Sequence, residues 1–464
     1  MASAAPIPFE QTEVYQLAKF VASADQKHMS SEAREELKKR ILDSFGVGIG
    51  ALDGEPIRYI RQQIDDFGGR PLSTLIGGGK TAPDRAAFYN GALVRYLDFM
   101  DSYLAKGETC HQSDNLGAVL AAAEYANASG ATLLSAMAVA YQVQGRLCDV
   151  APVRAKGFDH TVQGAYAVAA GVSRALGMDA AHTANAIAIS GTGNNALRVT
   201  RTGALSHWKG LAYPNTAFIG THSAFLAYRG ITGPAEVFEG NKGFKEAIAG
   251  KFSIDWSKED LENVRKSIIK RYNAEIHSQS SIEAALDLQK AKGFRASDIE
   301  KLEIDIFDVA FHIIGGGEEG DKTIIRTKEE ADHSLQYMVA VALLDGNVLP
   351  AQYEADRIVK ADVQDLLKRV VVRPRQEYTD RFPQEVVTTL RFTLKNGTTH
   401  EITKTDYEGF NTRPMSWDTV VAKFTGLATP FTSEKVRRNL IDAVRHLEDI
   451  QVRDLVAIIA DLKA

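Results

Sequence analysis

Hydrophobic positions recur along this chain in two rhythms. Up to about residue 268 the spacing is helical. Leu37, Ile41 and Phe45 stand four apart with Glu35, Lys38 and Lys39 between them, one apolar stripe of an amphipathic helix that Ser31 is placed to cap. A shorter helix over QTEVYQLAKFVAS, residues 11–23, precedes it. From about 84 to 230, stretches such as LLSAMAVAYQVQGRL and VQGAYAVAAGVSRALG are rich in Ala and Gly, which lets helix axes approach closely. This part predicts a compact multi-helix domain.

Near residue 269 the period shortens to two. Leu302, Ile304 and Ile306 alternate with Glu303 and Asp305, and Leu390, Phe392 and Leu394 alternate with Arg391 and Thr393, as half-buried strands do. RVVVRP at 369–374 is a third strand candidate. Asn396-Gly397 before THEITKT signals a hairpin, because both turn positions need positive φ. With helical segments at 280–290 and 334–344, the region predicts an antiparallel α+β domain. After Tyr407 the helical pattern returns in SWDTVVAKF and SEKVRRNLIDAVRHLED, with Val436, Leu440 and Val444 on one face. The expected fold is therefore mainly α, a large all-α helical domain of residues 8–268 and 405–464 with a smaller α+β domain inserted at 269–404.

Composition narrows the function classes. At 464 residues two domains are the default. A net charge of -5 gives no footprint for nucleic acid, so an anionic small molecule would be drawn by local basic groups. No apolar run approaches the roughly 20 residues of a membrane span, and the opening MASAAPIPFEQTE has neither a basic nor an apolar leader region; a cytoplasmic address is the expectation. Two cysteines, Cys110 and Cys148, are too few for a disulfide scaffold or for the usual iron–sulfur ligand set. No Walker loop, HExxH or CxxC occurs, and SGTGNN at 190–195 reads as a helix end or packing turn.

Ionisable groups crowd residues 96–117, YLDFMDSYLAKGETCHQSDNLG, between two small-residue helical segments. Four further polar clusters, GFDHT, ALRVTRTGALSHWKG, KRYNAEIHSQSS and EEADHSLQYMVA, add His160, His277 and His333 to His111. They also bring Lys209, Lys270, Arg198, Arg201, Tyr272 and Tyr337. Imidazoles exchange protons near neutral pH, while Lys and Arg hold carboxylates and stabilise enolate-like charge. That mixture suits proton abstraction beside a carboxylate. Cys110, in no reactive-thiol motif, reads as a packing residue.

The set YLDFMDSYLAKGETCHQSDNLGAVLA, GFDHT, RTGALSHWKGLA, EIHSQSSIEAAL and ADHSLQYMVAVALLDG resembles the MmgE/PrpD family, which contains 2-methylcitrate dehydratase, cis-aconitate decarboxylase and iminodisuccinate epimerase. The resemblance runs over nearly the whole chain. It implies a helical domain with an inserted α+β lid, a homodimer, and a metal-independent, cofactor-free site between the domains. Carried over by motif, the catalytic positions are Asp101, His111, His160, Lys209 and His277. Arg201, Lys270, Tyr272, His333 and Tyr337 are the substrate-binding candidates. Where several members have proline after the histidine, this chain has Gln112, which frees φ there and adds a polar side chain. Asp98, Lys106 and Glu108 are expected to be loop scaffolding.

The expected activity is acid/base dehydration of a small tricarboxylate. Lys209, helped by Arg201 or Lys270, neutralises carboxylates; His111 or His160 takes a proton; and Asp101 orients His111. Base and acid are not assigned between the histidines. The alternatives are decarboxylation of the cis-aconitate type or epimerisation of the iminodisuccinate type on the same groups. From another class comes a non-catalytic protein that binds a polycarboxylate.

Overall fold

A computed structural model of the chain describes residues 7–203 and 205–462. The first six residues, part of the stretch behind the cytoplasmic expectation, lie outside the described residues. The chain separates into two compact units. One holds the chain through Arg198, Gly210–Ser267 and the part from Ser416 onward; the other holds Val199–Lys209 and Ile268–Met415.

The first unit is helical. Ser31–Ile49 is capped by Ser30, not by Ser31: Ser30 is extended (ψ 159°) and its Oγ accepts from the Ala33 amide at 3.0 Å, while Ser31 already begins the helix. Its stripe of Leu37, Ile41 and Phe45 is buried, each side chain contributing about 1.5–3 kcal/mol of apolar transfer. The helix Trp417–Ala428 packs against the same helix. Small residues permit this, since a Cβ at Gly46 would lie only 3.0 Å from the Phe424 Cα. Val436, Leu440 and Val444 of Glu434–Arg445 are buried as their spacing predicts. The helices Pro83–Tyr96, Leu116–Tyr125, Gly130–Val150 and Thr161–Ala175 form the interior, and SGTGNN closes the helix Ala180–Gly193.

The second unit carries a four-stranded sheet in the order Val370–Pro374, Ile299–Ile306, Thr388–Leu394, Thr399–Lys404. The sheet is mixed rather than wholly antiparallel, because Val370–Pro374 runs parallel to Ile299–Ile306. Parallel neighbours need a long crossover, and here it contains the helices Leu335–Asp345 and Ala361–Leu367, which give no sign of strand direction in the sequence. The other two pairs are antiparallel, and the Asn396-Gly397 turn joins the last two strands; the expected positive φ at both positions is corrected, since Gly397 has it (86°) and Asn396 does not. Leu302, Ile304, Ile306, Leu390 and Phe392 are fully buried. No helix among the described residues is long and apolar enough to cross a membrane.

Candidate active site

In the first unit the polar stretch after Pro83–Tyr96 folds through a small ladder, Tyr103–Leu104 against Thr109–Cys110, into a short helical turn at Gln112–Asn115. Asp101 is buried at its centre. One carboxylate oxygen accepts from the Ser113 amide (3.1 Å) and hydroxyl (2.6 Å), the other from the Tyr141 (2.7 Å) and Ser267 (2.9 Å) hydroxyls. None of these donors is the imidazole of His111. Instead His111 Nδ1 donates to the Asp101 main-chain oxygen at 2.8 Å, with the Ser102 Oγ at 3.0 Å. The expectation that the Asp101 carboxylate orients His111 is therefore corrected: the carboxylate shapes the loop, and the backbone of the same residue points the ring. A carbonyl can only accept, so this contact puts the proton on Nδ1. Burial, reinforced by the Asp101 charge, pushes the Tyr141 phenol well up and keeps it a donor.

His160 begins the next interior helix. Its Nδ1 lies 2.9 Å from an Asp159 oxygen that also accepts from the Thr161 amide at 3.1 Å. The His160 and His111 rings stand nearly perpendicular with centroids 5.5 Å apart, and the Tyr213 ring stacks on His160 with centroids 6.1 Å apart. Gln112 turns inward. Its amide donates to the Tyr141 carbonyl (2.6 Å) and to Asn263 Oδ1 (2.7 Å), so it ties the loop to Gly130–Val150 and to the 259–267 segment. Asp98, at φ 54°, sits 3.5 Å from Arg95, and Glu108 accepts from the Val153 and Arg154 amides. Cys110 and Cys148 are wholly buried, and burial pushes both thiols up, away from nucleophilic thiolate.

The second unit repeats the same chemistry. His277 Nδ1 meets Glu275 Oε1 at 2.7 Å while the His277 amide donates to Oε2 at 2.8 Å. The ring leans on Phe307 and Phe382, and its Nε2 is buried without a hydrogen-bond partner among the described residues. His333 Nδ1 stands 2.6 Å from Asp332 Oδ1, the oxygen to which Lys209 Nζ donates at 3.0 Å; Lys328 donates to the other oxygen at 2.9 Å. Lys209 Nζ is also 3.1 Å from His333 Nδ1, but two donors cannot bond each other, so the carboxylate takes both. Burial pushes the Glu275 carboxyl up, yet the charges of His277, His333 and Lys270 outweigh it and bring it down to about 2. Burial likewise opposes ionisation of Asp332, and Lys209, Lys328 and His333 hold it far below the usual carboxylate range.

The remaining sequence candidates divide. Lys270 is buried and its charge reaches Glu275, and Arg201 donates to the Lys209 carbonyl at 3.4 Å. Tyr272 belongs elsewhere: after burial, the charges that act on its phenol are those of Glu283, Arg271, Asp287 and Glu408. Tyr337 spends its hydroxyl on the Gln352 carbonyl at 2.5 Å, in a turn beside Tyr353.

Sequence reading overlooked the carboxylates that hold the rings, Asp159, Glu275 and Asp332. Their signal is plain in retrospect, an acid one or two residues before the histidine in FDH, EIH and ADH. Each pair presents Nε2 as the exchangeable nitrogen, the arrangement a general base or acid requires. Carboxylate and imidazole also suit divalent cations, but both Asp332 oxygens are already taken by amines and His333.

Comparison with known proteins places these groups in a family. Residues 15–257 match the profile of the MmgE/PrpD N-terminal domain, and residues 272–449 match that of the MmgE/PrpD C-terminal domain. The chain is 26% identical to the cis-aconitate decarboxylase of Mus musculus over 450 residues, covering 91% of this chain and 88% of that one. It is 31% identical to the 2-methylcitrate dehydratase of Salmonella typhimurium over 356 residues, 72% of this chain and 71% of the other. With the 2-methylcitrate dehydratase of Cupriavidus necator it shares 30% over 399 residues, 80% of each. Two matched domain profiles that together span most of the chain, and dehydratases of 30% identity or more, lead to one conclusion: this chain belongs to the MmgE/PrpD family.

Proposed function

We propose that this chain, an enzyme of the lyase class, removes water from a small tricarboxylate of the 2-methylcitrate type by side-chain acid–base chemistry without a metal. The observation that carries the reading is the repeated pairing of a buried imidazole with its own neighbouring carboxylate, at His160 in the first unit and at His277 and His333 in the second, which also holds the buried amines of Lys209 and Lys270. In the proposed reaction the amines neutralise substrate carboxylates, which makes the adjacent C–H more acidic. One imidazole takes that proton through Nε2, and a second protonates the departing hydroxyl. His111 and His160, side by side in the first unit, and His277 in the second are the groups offered for these two roles. The reading extends to a homodimer, as the family resemblance implies, and to the cytoplasmic address expected from the sequence.

Decarboxylation is the second reading. It is favoured by the match to the mouse cis-aconitate decarboxylase, which covers more of this chain than the bacterial dehydratases do. Turnover of 2-methylcitrate, citrate, cis-aconitate and iminodisuccinate, with product identification, separates the outcomes: a new ultraviolet-absorbing alkene, released carbon dioxide, or changed stereochemistry alone. Dehydration that survives both Lys209→Ala and His277→Gln at near-normal rate overturns the proposed mechanism. So does a wild-type protein that binds tricarboxylates and turns over none, which would favour a binding protein.

A further inference from the structure

Lys322 is a buried cation that the assigned groups leave unexplained. Its main chain is pinned beside the second unit's reactive cluster: the Lys322 carbonyl accepts from the Ser334 hydroxyl at 2.6 Å. Ser334 directly follows His333 and caps the helix Leu335–Asp345, so the tether places Lys322 next to Asp332 and His333. The side chain is only 9% exposed, and the ammonium makes no hydrogen bond or ion pair among the described residues. Other lysines as deeply buried are paired. Lys38 stands on Glu35, Lys209 on Asp332 and Lys423 on Asp43.

An ammonium held largely out of water without a direct counter-ion is costly to the folded protein. Burial accordingly pulls the Lys322 pKa down. Glu319, Glu275 and Asp332 oppose that from a distance, and Lys209 adds to it. Of the acids whose charge reaches Lys322, Glu319 acts without a hydrogen bond or ion pair to it, and the other two are already committed, Glu275 to His277 and Asp332 to Lys209, Lys328 and His333. Lys322 is thus left without a direct counter-ion of its own. An anionic ligand would complete the balance.

We propose that Lys322 binds a carboxylate of the substrate remote from the reacting carbons, and so sets a preference for tricarboxylates over dicarboxylates. This rests on the polycarboxylate reading above. Lys322 takes part in no proton transfer; its contribution is one charge-assisted hydrogen bond to an oxygen that does not change during the reaction. The cost of its isolation appears in the ligand-free protein and is relieved on binding.

The test is calorimetric binding of citrate and of malate to the full chain, with Lys322→Met and Lys322→Arg, alongside thermal unfolding without ligand. Loss of one charge-assisted hydrogen bond predicts citrate binding weakened about 10- to 100-fold in Lys322→Met. Malate binding stays unchanged, and the ligand-free midpoint rises. Lys322→Arg retains most of the citrate affinity. Equal citrate affinity in Lys322→Met and wild type overturns the inference, as does a parallel loss of both ligands with a lowered midpoint. A wild type that binds no citrate overturns it too. A wild type that binds citrate but turns over no tricarboxylate overturns the proposed reaction alone, and the citrate-to-malate contrast still decides the lysine.

Discussion

Glu275 grips His277 at two points: one carboxylate oxygen faces the ring Nδ1 at 2.7 Å, and the other accepts from the backbone amide of the same residue at 2.8 Å. The ring is thereby fixed in direction and tautomer by a residue two positions away, with Phe307 and Phe382 beside it. A hinge this short leaves the imidazole little freedom.

Glu275→Gln keeps an oxygen for one contact but removes the charge that stabilises an imidazolium. We expect kcat to fall about 10²- to 10⁴-fold, the range seen when a general base or its orienting carboxylate is lost, with KM much less affected. Glu275→Asp should recover part of the rate. Steady-state kinetics of the two variants checks this; equal kcat for Glu275→Gln and wild type would remove His277 from the chemistry.

The same pair predicts an acid-side stability limb. The Glu275 carboxyl is lowered from its ordinary 4.5 to about 2, so its contribution is fully present above about pH 4.5 and is lost as pH falls toward 2. That gap corresponds to roughly 3 kcal/mol. Thermal midpoints taken between pH 5 and 2 should fall more steeply for wild type than for Glu275→Gln.

Asp101 supports its loop with four accepted hydrogen bonds. Asp101→Ala strands the donors of Ser113, Tyr141 and Ser267 in a dry interior and should cost about 3–5 kcal/mol. Denaturant titration gives that number. Because the His111 ring is oriented by the main chain of residue 101, activity should be lost along with loop order, and substrate at saturating concentration should not restore it.

Gln112 occupies the first position of a helical turn, where proline is tolerated. Gln112→Pro should therefore fold with the same backbone. It loses the bonds to the Tyr141 carbonyl and Asn263, for an expected loss of about 1–3 kcal/mol in a denaturant titration. The side chain points into the protein interior, so KM should stay near the wild-type value.

Lys423 joins Asp43 at 2.8 Å, donates to the Phe99 carbonyl at 2.7 Å and lies over the Phe99 ring at 3.8 Å. Lys423→Met leaves a buried carboxylate alone and should destabilise the chain by about 3–5 kcal/mol. Adding Asp43→Asn to that variant should return part of the loss. A double-mutant cycle measured by denaturant titration tests the coupling.

Much of this was legible in the sequence because periodicity reports burial directly. The stripes Leu37, Ile41, Phe45 and Val436, Leu440, Val444, and the strands around Ile304 and Phe392, lie where their spacing predicts. Strand direction was not, since Val370–Pro374 looks the same run either way and only the crossover decides it. At the site, residue type nominated the histidines and Lys209, but the division of labour within Asp101 between carboxylate and carbonyl depends on a loop path that no motif encodes. Tyr337 shows the converse: a hydroxyl inside a family motif serves a local turn. Lys322 escaped notice because no motif surrounds it, and its interest lies wholly in the partner it lacks.

The helix Trp417–Ala428 closes over Ser31–Ile49 and delivers Lys423 to Phe99, two residues before Asp101. Segments far apart in the sequence thus complete one another. Without Trp417–Ala428, Asp43 has no lysine and the surface around Gly46 has no cover. The loop that holds His111 therefore leans on a contact of high sequence separation, the kind that forms late in folding, and a chain cut before Trp417 carries the histidines without that brace.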